Sequence, residues 1–207
     1  MTDRSKLLAF LLLGVVVAGG LLAGRFLSPK PPAVLATGTL LAPARPLADF
    51  SLIDHQGRPF GPANLRGHWS LMFFGYTNCP DFCPTTLTTL ALVEKQLRAA
   101  KAVEPQVIFV SLDAKRDTPA QLNRYVPNFD PTFIGLTAAD QASIEGIAKK
   151  WGIAVAIQTA ANGDYIVDHS EAIFVIDPDG KIAAVLSGPF TVEALQSDFR
   201  RIVTARA

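Results

Sequence analysis

The sequence predicts an α/β protein, a mixed sheet with helices packed on it. Two observations carry that reading. Strand-like apolar runs alternate with helix-periodic segments through the middle of the chain. Trp69 to Phe74 reads as a buried strand. A helix pattern from Pro84 to about Lys101 follows, with Leu87, Leu90, Ala91, Glu94 and Leu97 at helical spacing. Val107 to Leu112 is then a near-continuous apolar run rich in β-branched residues, as expected of a strand covered on both faces. The second observation is a hairpin late in the chain, Ala172–Ile176 and Ile182–Leu186, turned by Asp177-Pro178-Asp179-Gly180. A length of 207 residues fits one such domain with a short additional segment.

From the N-terminus, Leu7 to Gly24 is apolar and uncharged, reaching the lower end of the about 17–25 residues that span a bilayer. Arg4 and Lys6 precede it. The expectation is a single-pass anchor over residues 1–27 in the inner membrane of a bacterium, N-terminus cytoplasmic and the remainder in the periplasm. A cleaved signal peptide is the competing reading, although no A-x-A site follows the run. Residues 28–47, with Pro29, Pro31, Pro32, Pro43 and Pro46, read as an extended tether. The alternative is an arm packed on the domain through Val34-Leu35 and Leu40-Leu41. The domain itself is assigned to residues 48–207.

Phe50–Ile53 and the segment after Gly57 predict a small N-terminal hairpin. Thr118-Pro119-Ala120-Gln121 predicts a capped helix start. Phe133–Leu136 predicts a strand and Ala139–Trp151 a helix. Ile153–Ile157 and Tyr165–Val167 predict a hairpin with Asn162-Gly163 at its tip, which puts His169 at a strand end. Thr191–Arg206 predicts a closing helix with Val192, Leu195, Phe199 and Ile202 inward. Alternating strands and helices followed by a hairpin and a helix is the order of a thioredoxin-like α/β sandwich with added strands.

Charge excludes one class of partner. With 19 basic and 18 acidic residues the net charge is +1, and no charge block stands out, so the footprint of a nucleic-acid binder is missing. No P-loop, no GxGxxG and no Ser-His-Asp arrangement of recognisable spacing occurs.

The chemistry concentrates in Phe73-Phe74-Gly75-Tyr76-Thr77-Asn78-Cys79-Pro80-Asp81-Phe82-Cys83-Pro84, where a strand hands over to a helix and both cysteines of the protein lie. A proline after each cysteine predicts extended or turn-like backbone at both, with Cys83 as N-cap and Pro84 as the first helical residue. Helix N–H groups and the positive dipole end would then favour thiolate, the metal ligand and nucleophile. A structural disulfide over so short a loop would remove little entropy from the unfolded chain. Of the three histidines, His55 and His68 read as solvated turn residues. His169 follows Tyr165 and Val167 on one face of a strand pattern. Two thiolates and one imidazole suit copper, Cu(I) in particular, and can also hold zinc. The block Asp113 to Asp117 reads either as a plain strand-to-helix loop or as a support that orients the cysteine loop through Asp113 or Arg116.

Three blocks in order resemble the Sco/SenC family. They are Phe74-Gly75-Tyr76-Thr77 with Cys79-Pro80-Asp81-Phe82-Cys83-Pro84, then Ser111-Leu112-Asp113-Ala114-Lys115-Arg116-Asp117-Thr118, then Asp168-His169-Ser170 with Asp177-Pro178-Asp179-Gly180. The resemblance runs from about Pro46 to the C-terminus. It implies a thioredoxin-like fold binding one copper ion through Cys79, Cys83 and His169. It also implies help in assembling the binuclear copper site of cytochrome c oxidase, whose copper subunit would be the recipient. Asn78 stands where many members have histidine, and Ala114 where many have proline. Phe74, Tyr76 and Phe82 are expected to shield the ion. In an oxidising compartment the cysteine pair would need a thiol reductant, or prompt loading from another copper chaperone. The alternative function is a thiol-disulfide oxidoreductase or redox sensor using Cys79 and Cys83 alone, which has no need of His169.

Overall fold

The computed structural model describes residues 13–14, 34–159, 161 and 163–206. The Leu7–Gly24 run and the first part of the proline-rich segment lie outside these, Leu13 and Gly14 excepted. Among the described residues no helix is long and apolar enough to cross a membrane.

In chain order the elements are β1 (Gly38–Pro46), β2 (Leu52–Asp54), β3 (Pro59–Phe60), β4 (Ser70–Gly75), α1 (Phe82–Ala99), β5 (Gln106–Ser111), α2 (Pro119–Tyr125), β6 (Ile134–Thr137), α3 (Gln141–Trp151), β7 (Val155–Thr159), β8 (Tyr165–His169), β9 (Ala172–Ile176), β10 (Lys181–Ser187) and α4 (Val192–Arg206). Eight strands form one sheet in the order β1-β10-β9-β4-β5-β6-β2-β3. Its centre is the parallel trio β4-β5-β6, and β9 joins β4 antiparallel. The predicted hairpins β2–β3 and β9–β10 are both present. So is β7–β8, as a separate two-stranded sheet that ends on His169. This is the thioredoxin-like α/β arrangement expected from the alternation, with an added N-terminal hairpin.

Central β4 sorts the layers. All its residues are buried, and neighbours along a strand point to opposite faces. Phe73 and its register partner Phe109 face the side of α1 and α2, where Phe82 lies 6.0 Å from Phe73 and Tyr125 lies 5.9 Å from Phe109, centroid to centroid. Phe74 faces the other side, in an edge contact with Trp151 of α3 at 5.4 Å and with Phe174 of β9 at 5.7 Å. Helix starts follow their caps. Thr118 Oγ1 accepts from Gln121 N–H, although the Gln121 side chain turns to Arg124 instead of reaching back. Asp140 caps α3 by accepting from Ser143 N–H, and Gly152 closes it at φ 74°, a left-handed conformation that favours glycine.

The tether expectation needs correction over residues 34–47. β1 pairs with β10 as an edge strand, and Leu35, Leu40, Leu41 and Leu47 pack on the core. Fully buried Asp198 of α4 accepts from Ala36 N–H, Thr37 N–H and Thr37 Oγ1 at 2.8, 2.8 and 2.7 Å. The packed arm, not the free tether, is what this segment forms. Asp198→Ala leaves three donors without their acceptor, so unfolding by denaturant should show a loss of about 3 kcal/mol, with faster proteolysis between residues 34 and 46. A change below about 0.5 kcal/mol, the size of an ordinary surface substitution, would mean that Asp198 does not hold the arm.

Candidate metal centre

β4 runs out at Gly75, and the loop from Tyr76 to Asp81 carries the chain to α1. Helix α1 begins at Phe82 with Asp81 in the N-cap position, two residues before the predicted start. Cys83 is therefore helical, and Pro84 is the third helical residue. The N–H groups of a first turn have no partner inside the helix, so a proline there forfeits nothing. The Cys83 N–H, another of these unpaired donors, points at Cys79 Sγ, 3.4 Å away. No side-chain oxygen caps this helix; the Cys79 sulfur supplies an acceptor in its place. Cys79 is half-buried, Cys83 is 0% exposed, and both are free thiols.

Burial overturns the expectation of a thiolate at Cys83. Loss of water around the sulfur pushes its pKa well above the ordinary thiol value, and the neighbouring Cys79 adds to this. His169 behaves in the complementary way. Burial holds its pKa below the usual imidazole value, against the opposing effect of its bond to Ser170. With the ring neutral, Nδ1–H donates to Ser170 O at 3.1 Å, and the lone pair of Nε2 faces Cys83 Sγ at 3.8 Å. That tautomer is fixed by the carbonyl, as for a metal-ligating imidazole.

The separation fits a shared ion. Zinc-type bond lengths of about 2.3 Å to sulfur and about 2.0 Å to nitrogen put the two donors about 3.5 Å apart at a tetrahedral angle and about 3.7 Å at a trigonal one. Cys79, Cys83 and His169 thus form a continuous run of contacts, thiol to helix N–H and thiol to imidazole. They are not drawn into a closed cage: among the described residues no group of three His, Cys, Asp or Glu side chains is arranged as one. The other two histidines are elsewhere. His55 Nδ1 accepts from Gly135 N–H at 3.0 Å, a structural role rather than the solvated one expected, and His68 is exposed beside Trp69.

An aromatic wall surrounds the imidazole. Phe73 and Tyr76 lie 6.4 and 6.3 Å from the His169 ring, both in edge contacts. Phe82 lies against Phe73, and Phe190 lies 6.3 Å from Phe82. Phe73, not the expected Phe74, belongs to this wall, because Phe74 sits on the opposite face of β4.

Sequence reasoning passed over two residues of the site. Asp117 accepts from Thr77 N–H at 2.8 Å, from Thr77 Oγ1 at 2.6 Å and from Ser111 Oγ at 2.6 Å, pinning the start of the cysteine loop. That role had been expected of Asp113 or Arg116, which instead bind the β7–β8 hairpin. The signal was available: β4 and β5 are parallel neighbours, so the loops leaving their C-terminal ends must lie side by side, Gly75 opposite Ser111. The second residue is Gly75. A Cβ there would fall 2.7 Å from Cys83 Sγ and 2.9 Å from Phe109 Cε2. Gly75→Ala should therefore cost about 1–3 kcal/mol in chemical unfolding and raise the alkylation rate of Cys83 by displacing its sulfur. Unchanged stability and unchanged alkylation would refute this close packing.

Comparison with known proteins gives the chain its relatives. Residues 40–204 match the SCO1/SenC family. The chain is 36% identical over 204 residues to the mitochondrial SCO2 homologue of Bos taurus, covering 98% of this chain and 76% of that protein. Among solved structures, Arabidopsis thaliana ScoI with copper bound is similar at a TM-score of 0.72 and 30% identity, over 76% of this chain and 97% of that one. Bradyrhizobium japonicum ScoI with copper bound is similar at 0.67 and 34% identity, over 76% and 99%. The chain belongs to the SCO1/SenC family.

Proposed function

We propose that this protein is a copper metallochaperone that holds one copper ion through Cys79, Cys83 and His169 and delivers it to the copper subunit of cytochrome c oxidase. The observation that carries the ligand set is the 3.8 Å approach of His169 Nε2, lone pair foremost, to Cys83 Sγ, with Cys79 Sγ at the first turn of the same helix. Two soft sulfurs and one imidazole form a donor set for Cu(I). The copper-bound ScoI structures of related proteins support copper over zinc. The recipient follows from the resemblance to the Sco/SenC family. The Leu7–Gly24 run serves as the membrane anchor in this reading, with the domain in the periplasm.

The chemistry of loading and release follows from the site's own groups. The buried Cys83 thiol loses its proton as its sulfur binds, so loading releases that proton to solvent. His169 is neutral beforehand and gives up none. Phe73, Tyr76 and Phe82 limit water around the sulfurs. Three donors leave an open side that an incoming ligand of the recipient can approach, so the ion is exchanged between ligand sets without being set free.

Unequal exposure of the two thiols favours a second reading. A half-buried Cys79 beside a fully buried Cys83 is also the layout of an attacking and a resolving cysteine. Anaerobic titration of the reduced full-length protein in detergent with Cu(I), beside His169→Ala and Cys83→Ser, separates the two. The chaperone reading predicts one copper per chain, lost in both variants. Weak binding, or binding indifferent to His169, would transfer the function to thiol-disulfide exchange.

A further inference from the structure

The hairpin that carries His169 has little to hold it. Among the described residues, β7 and β8 pair only with each other and share no ladder with the eight-stranded sheet. An isolated two-stranded hairpin is marginal in water, so its position depends on side-chain packing of one face. That face of β8 presents Tyr165, Val167 and His169 in alternation. Val167 is 3% exposed, while Ile166 and Asp168 point outward and its partner in register, Ile157, is 47% exposed. The apolar contact is thus small.

Polar and aromatic contacts to Arg116 and its neighbours Asp113 and Tyr76 make up the difference, the Tyr76 hydroxyl being hydrogen-bonded to the Val167 backbone. The Arg116 guanidinium lies over the Tyr165 ring, 3.7 Å from its centroid, and 5.7 Å from that of Tyr76. Arg116 Nη1 donates to Tyr165 O at 3.1 Å and reaches Asp164 Oδ1 at 3.5 Å, both on the hairpin. Arg116 Nε donates to Asp113 Oδ2, and Asp113, 2% exposed, accepts the Tyr165 hydroxyl at 2.8 Å. Arg116 Nη2 is buried and, among the described residues, has no hydrogen-bond partner. The guanidinium is therefore spent on gripping the hairpin, and stacking rather than a full set of hydrogen bonds covers its remaining edge. Tyr76 links the two ends of the device, since its ring meets both Arg116 and His169.

We propose that Arg116 is a positioning residue for metal binding: it latches the β7–β8 hairpin onto the domain and so holds the His169 imidazole against Cys83. The latch rests on the three-ligand copper reading above and adds to it the residue that pre-organises the third ligand. Cys79 and Cys83 come with α1 and its loop whatever the hairpin does. His169 comes with the hairpin, and loosening Arg116 removes it from the site without disturbing the sulfurs.

The test is competition for Cu(I) between a chelator and the full-length protein in detergent, using the unmodified chain, Arg116→Gln, Arg116→Lys, His169→Ala and the double variant Arg116→Gln/His169→Ala. Arg116→Gln should lose copper about tenfold more readily, the scale of lost support behind a ligating histidine. Arg116→Lys should stay near Arg116→Gln, because an ammonium cannot stack flat and fork. In the His169→Ala background Arg116→Gln should have no further effect. The nitrogen splitting in the electron paramagnetic resonance spectrum of the Cu(II) form should weaken in Arg116→Gln. If Arg116→Gln does not fold, Tyr165→Phe, which removes only the bond to Asp113, should show a smaller loss in the same direction. An Arg116 effect of equal size with and without His169 would overturn the latch, as would full copper retention and full nitrogen splitting in Arg116→Gln. If His169→Ala itself retains copper like the unmodified chain, the ligand assignment falls and the latch falls with it. If His169 matters and Arg116 does not, only the latch falls.

Discussion

The site depends on how close the Cys83 sulfur lies to the backbone of Gly75. Nothing larger than hydrogen fits there. The bare Cα lets the first turn of α1 settle on the end of β4, which buries Cys83, brings its N–H onto Cys79 Sγ and puts its own sulfur in reach of a strand end from the far part of the chain. Asp117, in the loop that follows the neighbouring parallel strand β5, fixes the loop between. A side chain at position 75 would separate helix from strand, and the two thiols would no longer share a turn with a common opening.

That close packing sets the electrostatics as well. Lack of water disfavours the thiolate at Cys83 and the charged imidazolium at His169 alike. A buried thiolate with no cation would be costly; a thiolate bonded to a soft cation is not. In the proposed copper site the half-exposed Cys79 would be the entry, and the wall of Phe73, Tyr76 and Phe82 the low-dielectric side.

Much of this was legible in the sequence, and the failures have definite physical causes. Strands β4 and β5, the β9–β10 hairpin and helix α4 follow from periodicity and turn chemistry, which act locally. β1 was hidden by Pro43 and Pro46. Proline argues against a central strand, but β1 lies on the sheet edge, with an irregular register between Leu40 and Arg45, where proline is tolerated. Choosing Phe74 over Phe73 failed because a strand buried on both faces has no alternation to read. The start of α1 was set two residues late because the preference of a pre-proline residue for extended backbone yielded to the contact of Cys83 with Gly75. Asp117 and the grip of Arg116 on Tyr165 are tertiary contacts that spacing cannot reveal. The pairing of His169 with a cysteine 86 residues away is implied by the family resemblance and not by local spacing; in the structure His169 Nε2 lies 3.8 Å from Cys83 Sγ.

X-ray absorption at the copper edge of the anaerobically loaded, full-length protein tests the central claim most directly. The account predicts one first coordination shell with two sulfurs and one imidazole nitrogen, the nitrogen disappearing in His169→Ala. A shell of sulfur alone in the unmodified chain, or an unchanged nitrogen contribution in that variant, would contradict it.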